Sequence, residues 1–503
     1  MASNANRAST ALLAVGALLL SSGLLFFGTG LRPEWWLTWV ASLPILLVVP
    51  RVSAKAAFGI ATVAWFAGGL NMVRYFVSVL GPPQSSPPSG ARLLSFLIAA
   101  LIILVPSCVF GLSVLGWRAC VRRGRPWSAV FVFPSVWVAY EYISAVSSPH
   151  STFGNLAYTQ MNSLPLLQLA SLTGVWGISF CLFLLPGAIA TVLVGASSWA
   201  QKRAIATAVG ILFVAIGGFG WWRLGATPPA RSVVVGLAAS DLPGNVIPGE
   251  PDRLLRDYLE QVKILAARGA EVVVLPEKIA VVLDPAMAET DSLFETVARQ
   301  SKTRIVVGLI RRTSTAKLNE ARLYFGTDLA PLLYDKHHML PAFEASFQPG
   351  TKRASWEMQS GVWGLAICKD MDFPKLSRQY SSDGVGLLLV PAWDFVDDGW
   401  LHDRMAVMRG VESGFSIARA AKQGLLTVSD DRGRILAERN TGSGPFVTLV
   451  AAVPVRHDRT LYARCGDWFA WASLALLLVI LLGPVFAGSH RSAVVGESKP
   501  RAA

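Results

Sequence analysis

The chain has 503 residues, of which 53% are hydrophobic and only 15% are charged, and its formal net charge is +13. Soluble proteins have roughly 25% charged residues, so this composition excludes an ordinary soluble domain and indicates a membrane protein. The positive charge would suit nucleic-acid binding, but much of it lies in short loops between apolar segments, where membrane topology explains it better. The five cysteines form no Cys-x-x-Cys pair and no zinc-type spacing, so a disulfide framework is not expected.

The first 225 residues are a succession of apolar segments. Most are near the roughly 20 residues that cross the hydrocarbon layer, and an apolar segment of similar length lies near the C-terminus. The ends of the second segment are blurred by Pro44 and Pro50. The predicted spans are residues 10–30, 34–50, 56–79, 92–117, 127–146, 166–195, 204–223 and 468–487. We therefore predict a transmembrane bundle over 1–225, a separate domain over 226–466, and a last helix with a tail over 467–503.

Basic residues in the loops predict the orientation of this bundle. They concentrate in alternate loops, for example at 51–55 and 118–125, whereas residues 147–165 contain no Lys or Arg. Loops rich in Lys and Arg remain in the cytoplasm. The termini are therefore predicted to be cytoplasmic, and seven crossings place the domain over 226–466 on the outer side.

The segment 226–466 has a different pattern, in which short apolar runs alternate with amphipathic stretches. Such alternation is typical of an α/β domain. The predicted helices are 252–268 and 401–413. The predicted strands are 232–239, 271–275, 304–310, 332–334, 362–367, 386–390, 425–429 and 434–438, the last two forming a hairpin.

Three of these predicted strands end in chemically unusual groups. Glu277 follows one strand, Lys336 follows another, and Cys368 ends the strand at 362–367, where Pro374 prevents a longer strand. Each residue alone has a plain structural explanation, since cysteines are commonly buried and lysines commonly solvated. Strand ends meet at one edge of a sheet, however, and a turn there holds a thiol in a reachable place. Their repetition favours a catalytic group.

This chain order resembles the nitrilase, or carbon–nitrogen hydrolase, superfamily, which uses a Glu-Lys-Cys triad. The match covers residues 272–277, the Tyr-Asp-Lys…Pro…Glu motif at 334–344, and residues 366–368. A late Arg-x-x-Glu helix corresponds to Arg409 and Glu412. Membrane-part motifs at 137–141, 153–160 and 168–177, together with the predicted spans, make nearly the whole chain similar to bacterial apolipoprotein N-acyltransferases.

The resemblance implies a fold and a reaction. The fold would be a bundle of about eight transmembrane helices with an extracytoplasmic α-β-β-α sandwich, in the bacterial cytoplasmic (inner) membrane and facing the periplasm. Cys368 would take a fatty acyl chain from a phospholipid and pass it to the N-terminal amine of a diacylglyceryl-cysteine lipoprotein, without a metal or organic cofactor. Glu277 would act as base, Lys336 would stabilise thiolate and oxyanion, and Glu344 would orient Lys336.

The resemblance also implies substrate-binding positions at Phe343, Asp370, Trp393 and Glu412. Three local patterns depart from the family. Cys-Lys-Asp stands at 368–370 where the family has Cys-Tyr-Glu, and residues 390–395 and 420–424 replace its Ser-Asn-Asp-x-Trp-Phe stretch and its Asn-Thr-Gly turn. The acceptor could therefore differ from a lipoprotein. The sequence assigns no role to His337, His338 or Glu141.

Three other functions compete with this hypothesis. A membrane-anchored amidase or nitrilase of a small substrate would need one span rather than eight. An acyltransferase paralogue with a different acceptor would fit the departures near the nucleophile. A non-catalytic lipid-binding relative would not need an intact triad.

The predicted orientation is testable with reporter fusions at residues 120, 240 and 495. Because basic loops remain in the cytoplasm, we expect the three fusions to report inside, outside and inside. Paired reporters that are active on only one side of the membrane measure this. An outside result at residue 120 would contradict the arrangement.

Overall fold

The computed structural model describes residues 2–81, 89–226, 230–242 and 253–494. The chain divides into two compact units: Met1–Ile143, Trp176–Ala215 and Asp467–Ala503 form the first, and Ser144–Val175 and Ile216–Gly466 form the second. The predicted division at residue 225 therefore differs from the observed one, because residues 144–175 and 216–225 belong to the unit that holds the sheets. The predicted tail at 495–503 lies outside the described residues.

Long apolar helices account for most of the predicted spans. Within the described part of the chain, six are long and apolar enough to cross a membrane: Arg7–Gly28, Ala54–Leu80, Gly90–Arg122, Pro126–Ser147, Val175–Val194 and Trp199–Gly225. Many of their leucine and valine side chains are exposed, as a lipid-facing surface requires. A further helix, Trp468–Val494, matches the predicted last span.

Two predicted spans are not continuous helices. The segment at 34–50 consists of three short pieces, Leu37–Trp39, Leu43–Val48 and Val49–Arg51, because Pro44 and Pro50 each begin a new helical turn and cannot continue the preceding one. The segment at 166–195 is likewise divided, with Val175–Val194 as its long helix. The predicted count of about eight spans is not confirmed. The fusion at residue 120 also tests whether the segment at 34–50 crosses, since otherwise residue 120 falls outside.

Thirteen strands are present in the described residues of the second unit. They are β1 (Ser232–Ala239), β2 (Val272–Val274), β3 (Val281–Leu283), β4 (Arg304–Arg312), β5 (Lys317–Tyr324), β6 (Leu332–Asp335), β7 (Ala354–Met358), β8 (Gly361–Leu365), β9 (Val385–Trp393), β10 (Ser416–Lys422), β11 (Leu425–Ser429), β12 (Ile435–Asn440) and β13 (Val447–Pro454). They form a sheet of order β13-β1-β2-β4-β5-β6, with β3 beside β4, and a sheet of order β12-β11-β10-β9-β8-β7.

The two sheets pack face to face, with helices outside them. Apolar side chains of both sheets share one core, to which Leu237 and Val274 contribute from the first sheet and Leu365 and Leu389 from the second. Burying each such side chain stabilises the fold by about 1.5–3 kcal/mol. Helices Arg253–Ala267 and Met287–Ser301 pack on the first sheet, and Pro374–Ser382 and Gly399–Ser413 on the second. The predicted α-β-β-α sandwich is thus confirmed.

Strand direction brings the predicted functional residues to one edge. In the first sheet β2 is parallel to β4, and β6 runs the same way because β5 is antiparallel to both β4 and β6. In the second sheet β8, β9 and β10 are parallel. The segments after β2, β6 and β8 therefore leave the carboxyl ends of their strands, where α/β enzymes bind ligands.

The predicted strands and helices are confirmed, and the hairpin of β11 and β12 is as expected. The prediction missed β3, β5, β7, β10 and β13 and the helices Met287–Ser301 and Pro374–Ser382. The strand β5 shows why, since its buried positions include Asn319, Glu320 and Arg322 and its sequence has no apolar alternation.

The segment 144–175 is held against the rest of the second unit by polar contacts. Thr152 Oγ1 donates to the Asp372 carbonyl at 2.8 Å, Gln168 Nε2 donates to the Arg432 carbonyl at 2.8 Å, and the Val175 amide donates to Glu412 Oε1 at 2.9 Å. All three contacts lie in buried surroundings, where a donor or acceptor that loses its partner cannot bond to water instead. These contacts explain why the segment folds with the sheets although apolar helices flank it.

Candidate active site

Cys368 lies on a sharp turn between β8 and the helix Pro374–Ser382. Its φ is +44°, a conformation that costs a non-glycine residue on the order of 1–3 kcal/mol and that clusters at functional sites. The turn continues as a short 3₁₀ helix, Cys368–Asp372, and Pro374 begins the next helix. The thiol is partly exposed, and its Sγ lies 3.4 Å from the carbonyl oxygen of Trp393 at the end of β9.

Glu277 follows β2 and lies against β4. The Gly308 amide donates to the Pro276 carbonyl at 3.1 Å, and a Cβ atom at Gly308 would come within 2.6 Å of the Glu277 Cα. Only glycine fits at this close approach of two backbones. The Glu277 amide also donates to the Ala392 carbonyl of β9 at 3.3 Å, which links the two sheets at the site.

A compact polar cluster surrounds the predicted catalytic lysine. Lys336 Nζ donates to Glu277 Oε1 and to Glu344 Oε2, each at 2.9 Å. Asn319 Nδ2 bridges the same two carboxylates, at 2.6 Å from Glu277 Oε1 and 2.9 Å from Glu344 Oε1. The Leu340 amide donates to Glu344 Oε2 at 2.7 Å. Glu277, Lys336 and Glu344 are all buried. The hydrogen bonds show that the predicted base and the predicted orienting carboxylate both contact the lysine directly.

Lys278 adds a second ammonium group to the cluster. It also has a positive φ, and its Nζ forms an ion pair with Glu344 and lies 3.4 Å from Glu277 Oε1. Two carboxylates and two ammonium groups therefore balance one another. Buried charges are tolerated when they are paired and hydrogen-bonded in this way.

The electrostatics of the cluster determine which group carries a proton. Burial alone would raise the pKa of Glu277, but Lys278, Lys336 and the Asn319 amide outweigh it and lower that pKa. Burial would lower the pKa of Lys336, but Glu277 and the other anionic neighbours raise it. Burial and the charge of Glu277 raise the pKa of the Cys368 thiol more than Lys336 lowers it. These shifts favour a carboxylate, an ammonium and a protonated thiol, so the thiol would need a base to accept its proton before it could act as a nucleophile.

Asp370 connects the segment after β6 to the turn that carries Cys368. Its Oδ2 accepts from the Tyr334 hydroxyl at 2.7 Å and the Ile367 amide at 3.1 Å. Its Oδ1 accepts from the His337 and His338 amides at 3.2 and 2.9 Å and lies 2.9 Å from His338 Nδ1. The carboxylate is fully buried with both oxygens occupied. We infer that Asp370 positions Lys336 and Cys368, in place of the substrate contact expected from the sequence.

Phe343 and Trp393 are open to the surroundings. Phe343 is 53% exposed and packs edge-on against Phe395 at 5.3 Å, and Trp393 is 42% exposed beside the thiol. Large apolar groups exposed next to a nucleophile suit contact with an apolar substrate. Their assignment to substrate binding remains a prediction, and their positions support it.

Glu412 occupies a different place from these two residues. It is fully buried, and it pairs with Arg409 at 3.1 Å as well as accepting from the Val175 amide. Its position favours holding the segment 144–175 over touching a substrate. His338 stacks on Phe373 at 3.6 Å between ring centres, and Glu141 is buried within the first unit.

Sequence reasoning missed Asn319, Lys278 and Lys422 as site residues. Asn319 lies on β5, whose charged sequence hid the strand, whereas Lys278 directly follows Glu277 and could have been found from that adjacency. Lys422 ends β10, another strand that was not predicted, and its Nζ lies 3.8 Å from the centre of the Trp393 ring.

The two-sheet sandwich with a cysteine on the turn after β8 defines a carbon–nitrogen hydrolase domain. The family model for carbon–nitrogen hydrolases matches residues 239–456, and the model for the apolipoprotein N-acyltransferase N-terminal domain matches residues 21–188. The chain belongs to the family that joins these two parts, the apolipoprotein N-acyltransferases.

Individual relatives agree over most of the chain. A protein of Geobacter metallireducens named apolipoprotein N-acyltransferase is 28% identical over 92% of this chain and 93% of its own length. One of Gloeobacter violaceus with the same name is 24% identical over 93% and 94%. Among solved structures, an amidase from Nesterenkonia sp. aligns with a TM-score of 0.37 and 22% identity, over 46% of this chain and 94% of that one.

The positioning role of Asp370 is testable with Asp370→Asn, which keeps the shape but turns an amide toward backbone and hydroxyl donors. Leaving buried donors without an acceptor costs about 1–3 kcal/mol, so we expect a clear fall in melting temperature. We also expect a changed rate of Cys368 alkylation by iodoacetamide, followed by peptide mass. The matched control is Asp383→Asn, which removes a carboxylate from a half-exposed pair with Arg353 and should change neither. Wild-type melting and alkylation in Asp370→Asn would refute the role.

Proposed function

We propose that this protein transfers a fatty acyl chain from a phospholipid, through a thioester on Cys368, to the N-terminal amine of a diacylglyceryl-cysteine lipoprotein. The observation that carries the proposal is the buried cluster of Glu277, Lys336 and Glu344 at the strand edge that also bears Cys368. The names of the relatives support the choice of substrates, and the apolar helices support a substrate taken from a membrane.

In the first half reaction the thiol attacks the ester carbonyl of the donor. Glu277 accepts the thiol proton as the S–C bond forms, and the ammonium of Lys336 stabilises the oxyanion that develops. Lys336 is released from part of its attraction to Glu277 as the oxyanion competes for it, which makes Glu277 a stronger base when the proton must move. The ester C–O bond then breaks, and protonated Glu277 returns its proton to the leaving alkoxide, giving a lysophospholipid and an acyl-thioester.

The second half reaction reuses the same groups. The neutral α-amine of the acceptor attacks the thioester, Glu277 accepts a proton from the amine, and Lys336 again stabilises the oxyanion. The C–S bond breaks, the thiolate leaves and regains the proton from Glu277, and the product is an amide. No other reactant is required for either step.

The surroundings of the thiol favour acyl transfer over hydrolysis of a small amide. Trp393 presents a large exposed side chain beside the thiol of Cys368, and Phe343 and Val396 are also exposed, Phe343 packing against Phe395 two residues after Trp393. Such a surface suits a fatty acyl chain and gives little help to a small polar substrate. In the proposed arrangement the protein spans the bacterial cytoplasmic membrane several times, with residues 226–466 on the outer side.

The nucleophile is testable by substitution. Cys368→Ser should abolish formation of the covalent acyl adduct from a fluorescent phospholipid, because a hydroxyl is far less acidic than a thiol and Glu277 cannot ionise it. Intact-protein mass and in-gel fluorescence measure the adduct. Cys465→Ser is the matched control, since this cysteine is exposed and lies outside the cluster. If Cys368→Ser still forms the adduct, or Cys465→Ser no longer does, the assignment of Cys368 as the nucleophile is wrong.

The two half reactions are testable separately with Glu277→Gln and Lys336→Arg. Glu277→Gln cannot accept a proton, so acylation by the phospholipid and transfer to a diacylglyceryl-cysteine peptide should both slow by on the order of 10²-fold or more. Lys336→Arg keeps the charge, but the planar guanidinium does not fit between the two carboxylates, and it should also fail. Stopped reactions that follow adduct and then product measure each step.

The wild-type protein provides the decisive comparison in this assay. Rapid release of free fatty acid without transfer to the peptide would favour a hydrolase. Transfer to another amine but not to the lipopeptide would favour a paralogue with a different acceptor. Turnover of a small amide without any use of phospholipid would refute the proposal.

A further inference from the structure

Lys422 is a buried lysine beside the nucleophile that the triad does not use. It is the last residue of β10 and lies opposite Trp393, the last residue of the parallel strand β9. Its side chain crosses the indole of Trp393, with Nζ 3.8 Å from the ring centre, and the residue is only 2% exposed.

Lys422 differs from the other two lysines of the site in its lack of an anionic partner. Lys336 and Lys278 each form ion pairs with Glu277 and Glu344. Within the described ranges, no carboxylate forms an ion pair with Lys422 and its Nζ has no hydrogen-bond acceptor. Burial lowers the pKa of Lys422 to about 8, with Glu277 and Asp241 opposing this shift and Lys278 adding to it. A nearly buried ammonium without a counter-ion is costly, and an anion bound beside it would remove that cost.

The ends of β9 and β10 hold this ammonium in a fixed place. Arg419 pairs through both of its terminal nitrogens with Asp394, the residue after Trp393, and both side chains are buried. The Trp393 indole Nε1 donates to Gln423 Oε1 at 3.0 Å. The cation and the ring that supports it are therefore part of a preformed surface.

This surface lies next to the thiol. The Trp393 carbonyl is 3.4 Å from Cys368 Sγ, and Lys278 Nζ is 5.9 Å from the centre of the same indole ring. Two ammonium groups thus flank an exposed aromatic ring beside the nucleophile. A ligand here needs a negative charge close to an acyl carbonyl, and the same two cations disfavour an approaching ammonium.

We propose that Lys422 binds the phosphodiester of the phospholipid acyl donor and so makes the enzyme prefer phospholipids over neutral acyl esters. This inference rests on the proposed function, because it assigns a substrate contact within it. In a phospholipid a single glycerol unit separates the phosphodiester from the ester carbonyl, so an anion at Lys422 would orient that carbonyl toward Cys368. Free phosphate carries the same chemistry, and the experiment distinguishes it.

The experiment compares two acyl donors with the same acyl chain, a fluorescent phospholipid and a neutral p-nitrophenyl ester. Lys422→Met keeps the length of the side chain without its charge. Hydrogen bonds to a charged group are strong, and we expect kcat/KM for adduct formation from the phospholipid to fall about tenfold or more, equivalent to ~1.4 kcal/mol, mainly through KM. The neutral ester should react within about twofold of wild type, and Lys422→Arg should restore most of the phospholipid rate.

The matched control is Lys263→Met. Lys263 is a half-exposed lysine on the helix Arg253–Ala267, where it pairs with Glu260 at 3.2 Å. Its removal should leave the preference between the two donors unchanged. The melting temperature of each variant shows whether its substitution unfolds the protein. If Lys422→Met is unfolded, the two donors are compared in Lys422→Arg instead.

Each remaining outcome has a definite reading. An equal fall in kcat/KM with both donors in Lys422→Met would mean that Lys422 supports the triad rather than the phosphodiester, and would overturn the inference. Millimolar inorganic phosphate that inhibits wild type but not Lys422→Met, on both donors, would assign the site to free phosphate and overturn it too. A wild-type protein that takes no acyl chain from phospholipid refutes the proposed function itself. If the wild type is active and Lys422→Met uses the phospholipid equally well, only the inference about Lys422 is refuted.

Discussion

The site depends on the pairing of Lys336 with two buried carboxylates. Without Lys336 and Lys278, Glu277 and Glu344 would be like charges bridged by the Asn319 amide, and burial would force at least one of them to bind a proton. With both ammonium groups present, Glu277 is kept ionised and able to accept a proton, while Lys336 stays charged and able to meet an oxyanion. The chemistry therefore follows from a charge balance that only a closed cluster can maintain.

The packing of the two sheets brings that cluster and the thiol of Cys368 to the same strand edge. Glu277 and Lys336 belong to the first sheet and Cys368 to the second, and Asp370 joins them by accepting hydrogen bonds from both sides. The strained φ at Cys368 is retained because this network and the helix beginning at Pro374 hold both ends of the turn. The position of the Cys368 thiol is thus held by a buried carboxylate that accepts hydrogen bonds from both segments.

The segment 144–175 lies between apolar helices in the sequence, but it too is held by buried polar contacts. Its polar side chains meet Asp372, Glu412 and Arg432 of the catalytic domain, and Tyr158 accepts from Arg409 at 2.9 Å. Asp372 lies in the turn that follows the nucleophile, so the segment also supports the site. Its motif residues are therefore explained by packing against the catalytic domain.

The sequence by itself determined the membrane class, the α/β domain, the strand ends and the triad candidates, because apolar periodicity and charge are local properties. Pro44 and Pro50 divided the apolar segment 34–50 into short helical pieces, whereas the segment 166–195 is interrupted at Gly174, whose φ is +65°. The strand β5 escaped detection because its buried residues are polar. Only the tertiary structure decided which groups Asn319, Asp370 and Lys422 face. Their partners come from strands distant in the chain, and a polar residue shows its purpose only when the group that it faces is known.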